Sequence, residues 1–184
     1  MRTDRISEAS PRSKARIAGV FYLLVFVTGT LALVLVGGRV VANLVATACY
    51  FVVVLLFYDL FKAVNRKLSL AAAFIGLVGC AFGTLSSLQL APFGINPLVF
   101  FGVYCLLIGY LIFKSTFLPR ALGALMAIGG LGWLTFVSLP LAELLSPYNM
   151  APGILGEGAL TLWLLVKGVN SRRWKEQAIV AGKL

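Results

Sequence analysis

The sequence predicts an all-α integral membrane protein, a bundle of six transmembrane helices. Three observations predict it: an apolar excess, six long apolar runs, and a one-sided distribution of cations. Of 184 residues, 60% are hydrophobic and 12% are charged. Soluble domains hold about 45–50% apolar and about 25% charged residues. A soluble fold of this length has too little interior to bury such an excess, whereas a bilayer lets the outer surface be apolar too. Strands are excluded by backbone accounting. In hydrocarbon every amide must be paired within its own segment or within a closed barrel, and barrel strands alternate apolar and polar residues over about 10 positions. These runs do not alternate.

Residues 1–16, MRTDRISEASPRSKAR, form a polar, basic N-terminal segment that is expected to be partly disordered. The first span covers 17–36, longer than the apolar core of about 7–15 residues in a signal peptide. The second covers 40–61 and is entered through Gly37-Gly38-Arg39. The third covers 68–90. The fourth, 98–113, follows the helix-breaking run APFGINP and is short for a bilayer core about 30 Å thick. The fifth covers 119–145, with Pro119 suited to a first turn and Pro140 expected to kink the far end. The sixth covers 151–169, which closes a six-helix domain over 17–169. Residues 170–184 form a basic tail, in which Trp174 is expected at the lipid interface or in a frayed, solvated end.

Orientation follows from counting. Arg2, Arg5, Arg12, Lys14, Arg16, Lys62, Arg66, Lys67, Lys114, Arg120, Lys167, Arg172, Arg173, Lys175 and Lys183 fall on one side of the six spans, and only Arg39 falls on the other. The positive-inside rule assigns the crowded side, with both termini, to the cytosol. The net charge of +10 therefore points to anionic lipid headgroups as partners and not to nucleic acid.

Four segments carry a family resemblance: ARIAGVFYLL (15–24), LFYDLFKAVNRKLSLAAAF (56–74), FFGVYCLLIGYLIFKSTFLPRALGALMAIGGLGWL (100–134) and MAPGILGEGALTLWLLVKGV (150–169). Together they resemble the bacterial multi-pass membrane family catalogued as domain of unknown function 4386. The resemblance implies a multi-pass membrane protein of the cell membrane. It supplies no reaction, ligand or catalytic residue.

Every connection is short, so chemistry must lie within the bundle or at its faces. The chain has no histidine, which excludes a Ser-His-Asp triad, histidine zinc sites and histidine-ligated haem. Cys49, Cys80 and Cys105 each sit in an apolar run and read as packing residues, with neither disulfide nor metal spacing. Gly129-Gly130-Leu131-Gly132 lacks the lysine of a phosphate loop. No metal or cofactor is implied.

Glu157 is the sharpest candidate. In a span centred near Leu160 it lies about 5 Å from the midplane, where a charged carboxylate costs about 2.5 kcal/mol or more. The carboxyl is expected to face the bundle, hydrogen-bonded and protonated, or to face a watery cavity. One reading makes it a proton or cation site or a ligand anchor, and the other a neutral acid that ties helices together. Asn43, Ser86, Ser87, Gln89, Asn96, Glu143, Tyr148 and Asn149 gather at the outer side and could line a pocket with Glu157, or be ordinary interfacial polarity. Asp59 with Lys62 reads as a structural ion pair. Small residues at four-residue spacing let backbones meet closely. The rows Ala72, Gly76, Cys80, Thr84 and Gly79, Gly83, Ser87, with Gly123 and Ala127, make spans three and five central packing helices. Trp133 and Trp163 read as lipid-facing bulk or pocket walls.

Three function classes remain. The first is binding or transport of a small molecule, lipid or ion at a pocket near Glu157. The second is a structural or regulatory subunit that packs on partner membrane proteins or on its own copies. The third is a lipid-modifying enzyme, the weakest because no nucleophile–base pair is legible. The charge distribution makes a direct prediction: reporter fusions at either terminus will show a cytosolic phenotype, and an external C-terminus would require an odd number of crossings.

Overall fold

The computed structural model describes residues 10–35, 37–91 and 95–182. Eight α-helices hold most of them: α1 (Pro11–Val34), α2 (Arg39–Phe61), α3 (Arg66–Ser87), α4 (Leu98–Lys114), α5 (Arg120–Leu134), α6 (Leu139–Leu145), α7 (Ala151–Val166) and α8 (Ser171–Val180). No strand occurs among the described residues.

Start signals set the boundaries. Ser10 caps α1 by accepting from the Ser13 amide, and Pro11 occupies the first turn. The first helix therefore begins six residues before the expected span, and Arg12, Lys14 and Arg16 are helical. The remainder of the expected disordered segment, residues 1–9, lies outside the described residues. Asn65 caps α3 through the Leu68 amide at 3.0 Å.

The helices form a closed ring. Each of α1 to α4 packs on its successor, α5 packs on α7, and α7 returns to α1. The core is filled by Tyr22, Val53, Val54, Phe57, Tyr104, Ile108, Met126 and Leu160, all essentially inaccessible. The outer surface is apolar, with Leu33, Phe74, Leu155 and Leu162 each more than 60% exposed, as expected where lipid is the solvent. The chain is a multi-pass membrane protein.

Three expectations are corrected. Five helical stretches among the described residues are long and apolar enough to cross a membrane, where six spans were expected; the expected fourth, α4, is a shorter apolar helix of 17 residues. At 1.5 Å per residue α4 reaches about 25 Å. The fifth span is not one kinked helix. It breaks at Ser138, whose backbone is extended, after a 3₁₀ turn at Thr135–Val137, and Pro140 then sits in the first turn of the separate α6. The tail is not frayed over Ser171–Val180. It folds as α8, with Asn170 accepting from the Arg173 amide, Ala178 buried, and the Trp174 indole N–H donating to Leu60 O at 2.8 Å.

Both ends of the described chain lie at the same, basic end of the ring. There Asp59 pairs with Lys14 at 2.5 Å and also with Lys62, which ties α1 to α2.

Glycines set the tightest approaches. A Cβ on Gly109 would fall 2.7 Å from Gly123 O, and one on Gly123 would fall 2.6 Å from Gly109 O. Gly102 and Gly130 repeat this reciprocal contact at 2.9 and 2.7 Å. Ala127 N joins the first pair, 2.9 Å from the Gly109 position. On α3, Gly76 lies under Val54 and Tyr104, Gly79 lies under Phe100 and Phe101, and Cys80 is buried; Gly83, opposite Thr47, is looser. The α4–α5 seam is thus held by reciprocal glycine pairs, and its α4 glycines were absent from the sequence-predicted rows.

Gly123→Ala will force α4 and α5 apart and cost about 1–3 kcal/mol. Gly158→Ala, where nothing lies within 4 Å of the new Cβ, will leave the melting temperature unchanged in detergent. Equal melting of the two variants would show that the α4–α5 contact does not limit stability.

Candidate functional site

Glu157 is the only aspartate, glutamate, lysine or arginine buried among the described residues, with 7% of its surface exposed. It stands in the second turn of α7. Gly153, one turn earlier, leaves the space that the Trp133 indole fills. Gly156 brings the α7 backbone against Leu125 O of α5. These two glycines place the carboxyl inside the ring, not against lipid.

Three helices meet the carboxyl. The Tyr22 hydroxyl of α1 donates to Oε2 at 2.7 Å. The Trp133 indole N–H at the end of α5 donates to Oε1 at 2.5 Å. The Cys105 thiol of α4 lies 3.6 Å from Oε1. Around them the rings of Tyr22 and Tyr50 meet edge-on at 5.5 Å, and those of Tyr50 and Tyr104 at 5.9 Å. Tyr22, Tyr50, Tyr104, Cys105 and Glu157 thus form one polar layer across the middle of the bundle. The Tyr50 and Tyr104 hydroxyls are enclosed and make no hydrogen bond among the described residues. The Tyr50 hydroxyl stands beside the Tyr22 hydroxyl and the Cys105 thiol, close to hydrogen-bonding reach of both but outside good geometry.

The outward pocket expected from sequence is not assembled around Glu157. Glu143, Gln89 and Tyr148 are exposed at the far end, Tyr148 by 81%. Asn43 offers only its backbone carbonyl, to Thr47, and Asn96 caps the start of α4 through the Leu98 amide. Asn149 is buried and donates to Thr135 and to Ala142 O. None of these residues reaches the carboxyl, because α7 turns Glu157 toward α1, α4 and α5. Among the described residues no cluster of His, Cys, Asp or Glu could hold a metal ion.

Sequence reasoning missed Tyr22, Tyr50, Tyr104 and Cys105. The available signal was depth: tyrosines favour the bilayer interfaces, and these three sit well inside their helices.

The family profile described as domain of unknown function (DUF4386) matches residues 88–168. The chain is also 30% identical over 120 residues to an uncharacterized protein of Archaeoglobus fulgidus, covering 60% of this chain and 72% of that protein. The chain belongs to the DUF4386 family. The matched stretch holds α4 to α7, and so Cys105, Trp133 and Glu157, while Tyr22 and Tyr50 lie outside it. No solved structure matches this DUF4386 chain.

Tyr22→Phe and Trp133→Phe each remove one donor to the carboxyl. Each will cost about 1–3 kcal/mol in unfolding free energy, because a buried acceptor is left unpaired. In a double-mutant cycle, Tyr22→Phe will cost less once Glu157 is replaced by Leu. Strict additivity would show that the 2.7 Å contact carries no energy.

Proposed function

We propose that this DUF4386 protein binds a small molecule or ion inside the bundle, in the polar layer around Glu157, with the carboxyl as proton-exchanging group or ligand anchor. The observation that carries this reading is the pair of enclosed, unpartnered hydroxyls of Tyr50 and Tyr104 in the same layer as a buried acid. An unpaired buried hydroxyl costs about 1–3 kcal/mol. A layer serving packing alone would be more stable with phenylalanine at both positions. The layer contains one acid, three phenols, an indole N–H and a thiol, and no buried lysine or arginine. A carboxyl framed by aromatic rings suits a cationic or hydrogen-bond-donating guest.

Binding and transport both draw on this site. A packing subunit for partner membrane proteins has less support, because the glycines of α4 and α5 that make close approaches are taken up within the chain. Catalysis has less support, since the Cys105 thiol beside the Glu157 carboxyl is wholly buried.

The test compares wild type with Glu157→Gln, Glu157→Leu and the Tyr50→Phe/Tyr104→Phe double variant in mild detergent. Melting temperature and mass spectrometry of co-purifying small molecules are the readouts. Gln, nearly isosteric and still able to donate and accept, will keep the fold, and Leu will melt lower. The double Phe variant will lose a compound that wild type retains, or melt below wild type. A double Phe variant that melts above wild type, with the same co-purifying compounds, would sink the proposal.

A further inference from the structure

We propose that the cleft between the start of α1 and the α7–α8 turn binds the phosphate headgroup of an anionic phospholipid in the leaflet at the basic end. The inference is independent of the reading of Glu157.

The cleft has a volume of about 420 Å³, and its lining includes Arg12, Lys167, Gly168, Ser171, Trp163 and Phe117. Its two cations come from segments 155 residues apart in sequence, and no acidic residue lines it. The acid on α8, Glu176, is turned to Arg172 at 2.9 Å, so it does not neutralise the cleft. The backbone explains the convergence. Gly168 adopts φ +67°, a left-handed conformation natural to glycine, and this lets the chain reverse after α7. A Cβ there would also fall 3.1 Å from Arg12 Cγ. The Arg12 stem therefore lies across the turn that follows Lys167, and both cations reach one cleft.

A third cation, Arg16, is one turn further along α1, and its guanidinium donates to Val166 O at 3.5 Å. α8 begins at Ser171 in the cleft wall, and a helix N-terminus adds to the attraction for an anion. Depth favours a lipid as the source of the phosphate. Trp163 is one turn inside the end of α7, on the apolar side of Lys167, while Phe117, almost wholly buried, lies level with Asn170, whose amide donates to its carbonyl. That order, aromatic then cationic, matches the passage from acyl chain to headgroup at a membrane interface.

The experiment uses the full chain in mild detergent, with phosphatidylglycerol, phosphatidylcholine and inorganic phosphate as separate probes, and native mass spectrometry and thermal melting as readouts. Wild type will retain phosphatidylglycerol over phosphatidylcholine. Arg12→Gln with Lys167→Gln will weaken phosphatidylglycerol binding about thirtyfold, roughly fivefold per cation removed. Lys175→Gln, an exposed cation of α8 outside the cleft, will leave it unchanged. If the double variant does not fold, Lys167→Gln alone must show the fivefold loss and Lys167→Arg must keep the affinity. Unchanged affinity in the cleft variants, or an equal loss in Lys175→Gln, overturns the site. Equal protection by inorganic phosphate, lost in the same variants, overturns the lipid as its occupant.

Discussion

The carboxyl of Glu157 joins α7 to α1 through Tyr22, to α5 through Trp133 and to α4 through Cys105. α7 is the helix that closes the ring, and its contacts with α1 and α5 are the last two links. In hydrocarbon a polar group that leaves its partner finds no water in exchange. The acid therefore does more than fill a position in the core. It makes the seam between the first and last spans specific in register and in rotation, where apolar packing alone would permit sliding.

That specificity depends on thin helices. Gly153 and Gly156 let α7 approach α5 so closely that the Trp133 indole lies against the α7 backbone. On the other side, the reciprocal pairs Gly109–Gly123 and Gly102–Gly130 bring α4 and α5 almost into backbone contact. Cys105 lies between Gly102 and Gly109 on α4, so the seam that narrows the bundle also carries the thiol to the carboxyl. The basic end is held differently, by side chains that reach main-chain carbonyls and by the Lys14–Asp59–Lys62 group.

The helical class, the positions of the turns and the isolation of Glu157 were legible because each is a one-dimensional property: apolar run length, breaker residues, and an acid among apolar neighbours. The partners of Glu157 were not. Tyr22 and Trp133 are 135 and 24 residues away from it, and nothing in a single chain states that α7 returns to α1. The polar residues at the far end formed a group in sequence only because helix ends recur there. Gly102 and Gly109, seven residues apart on α4, escaped a search based on four-residue spacing. The break at Ser138 was concealed by continuous hydropathy, since Pro140 can either bend a helix or begin one. The tail was read by its charge, whereas its fate was decided by the Asn170 cap and by one indole that found a carbonyl on α2.

Closure of the ring by α7 on α1 also orders assembly in time. A ribosome delivers α1 first and α7 only after the 116 residues 35–150. Until then the face of α1 around Gly19 that later meets Leu164 and Leu165 has only lipid or insertion machinery beside it, and the Tyr22 hydroxyl lacks the carboxyl that will accept from it. The first helix is thus a half-finished surface for most of synthesis, and a chain released before its last span carries an unsealed edge with a polar group in hydrocarbon. Such an edge is what membrane quality control can recognise, and α7 is the segment that removes it.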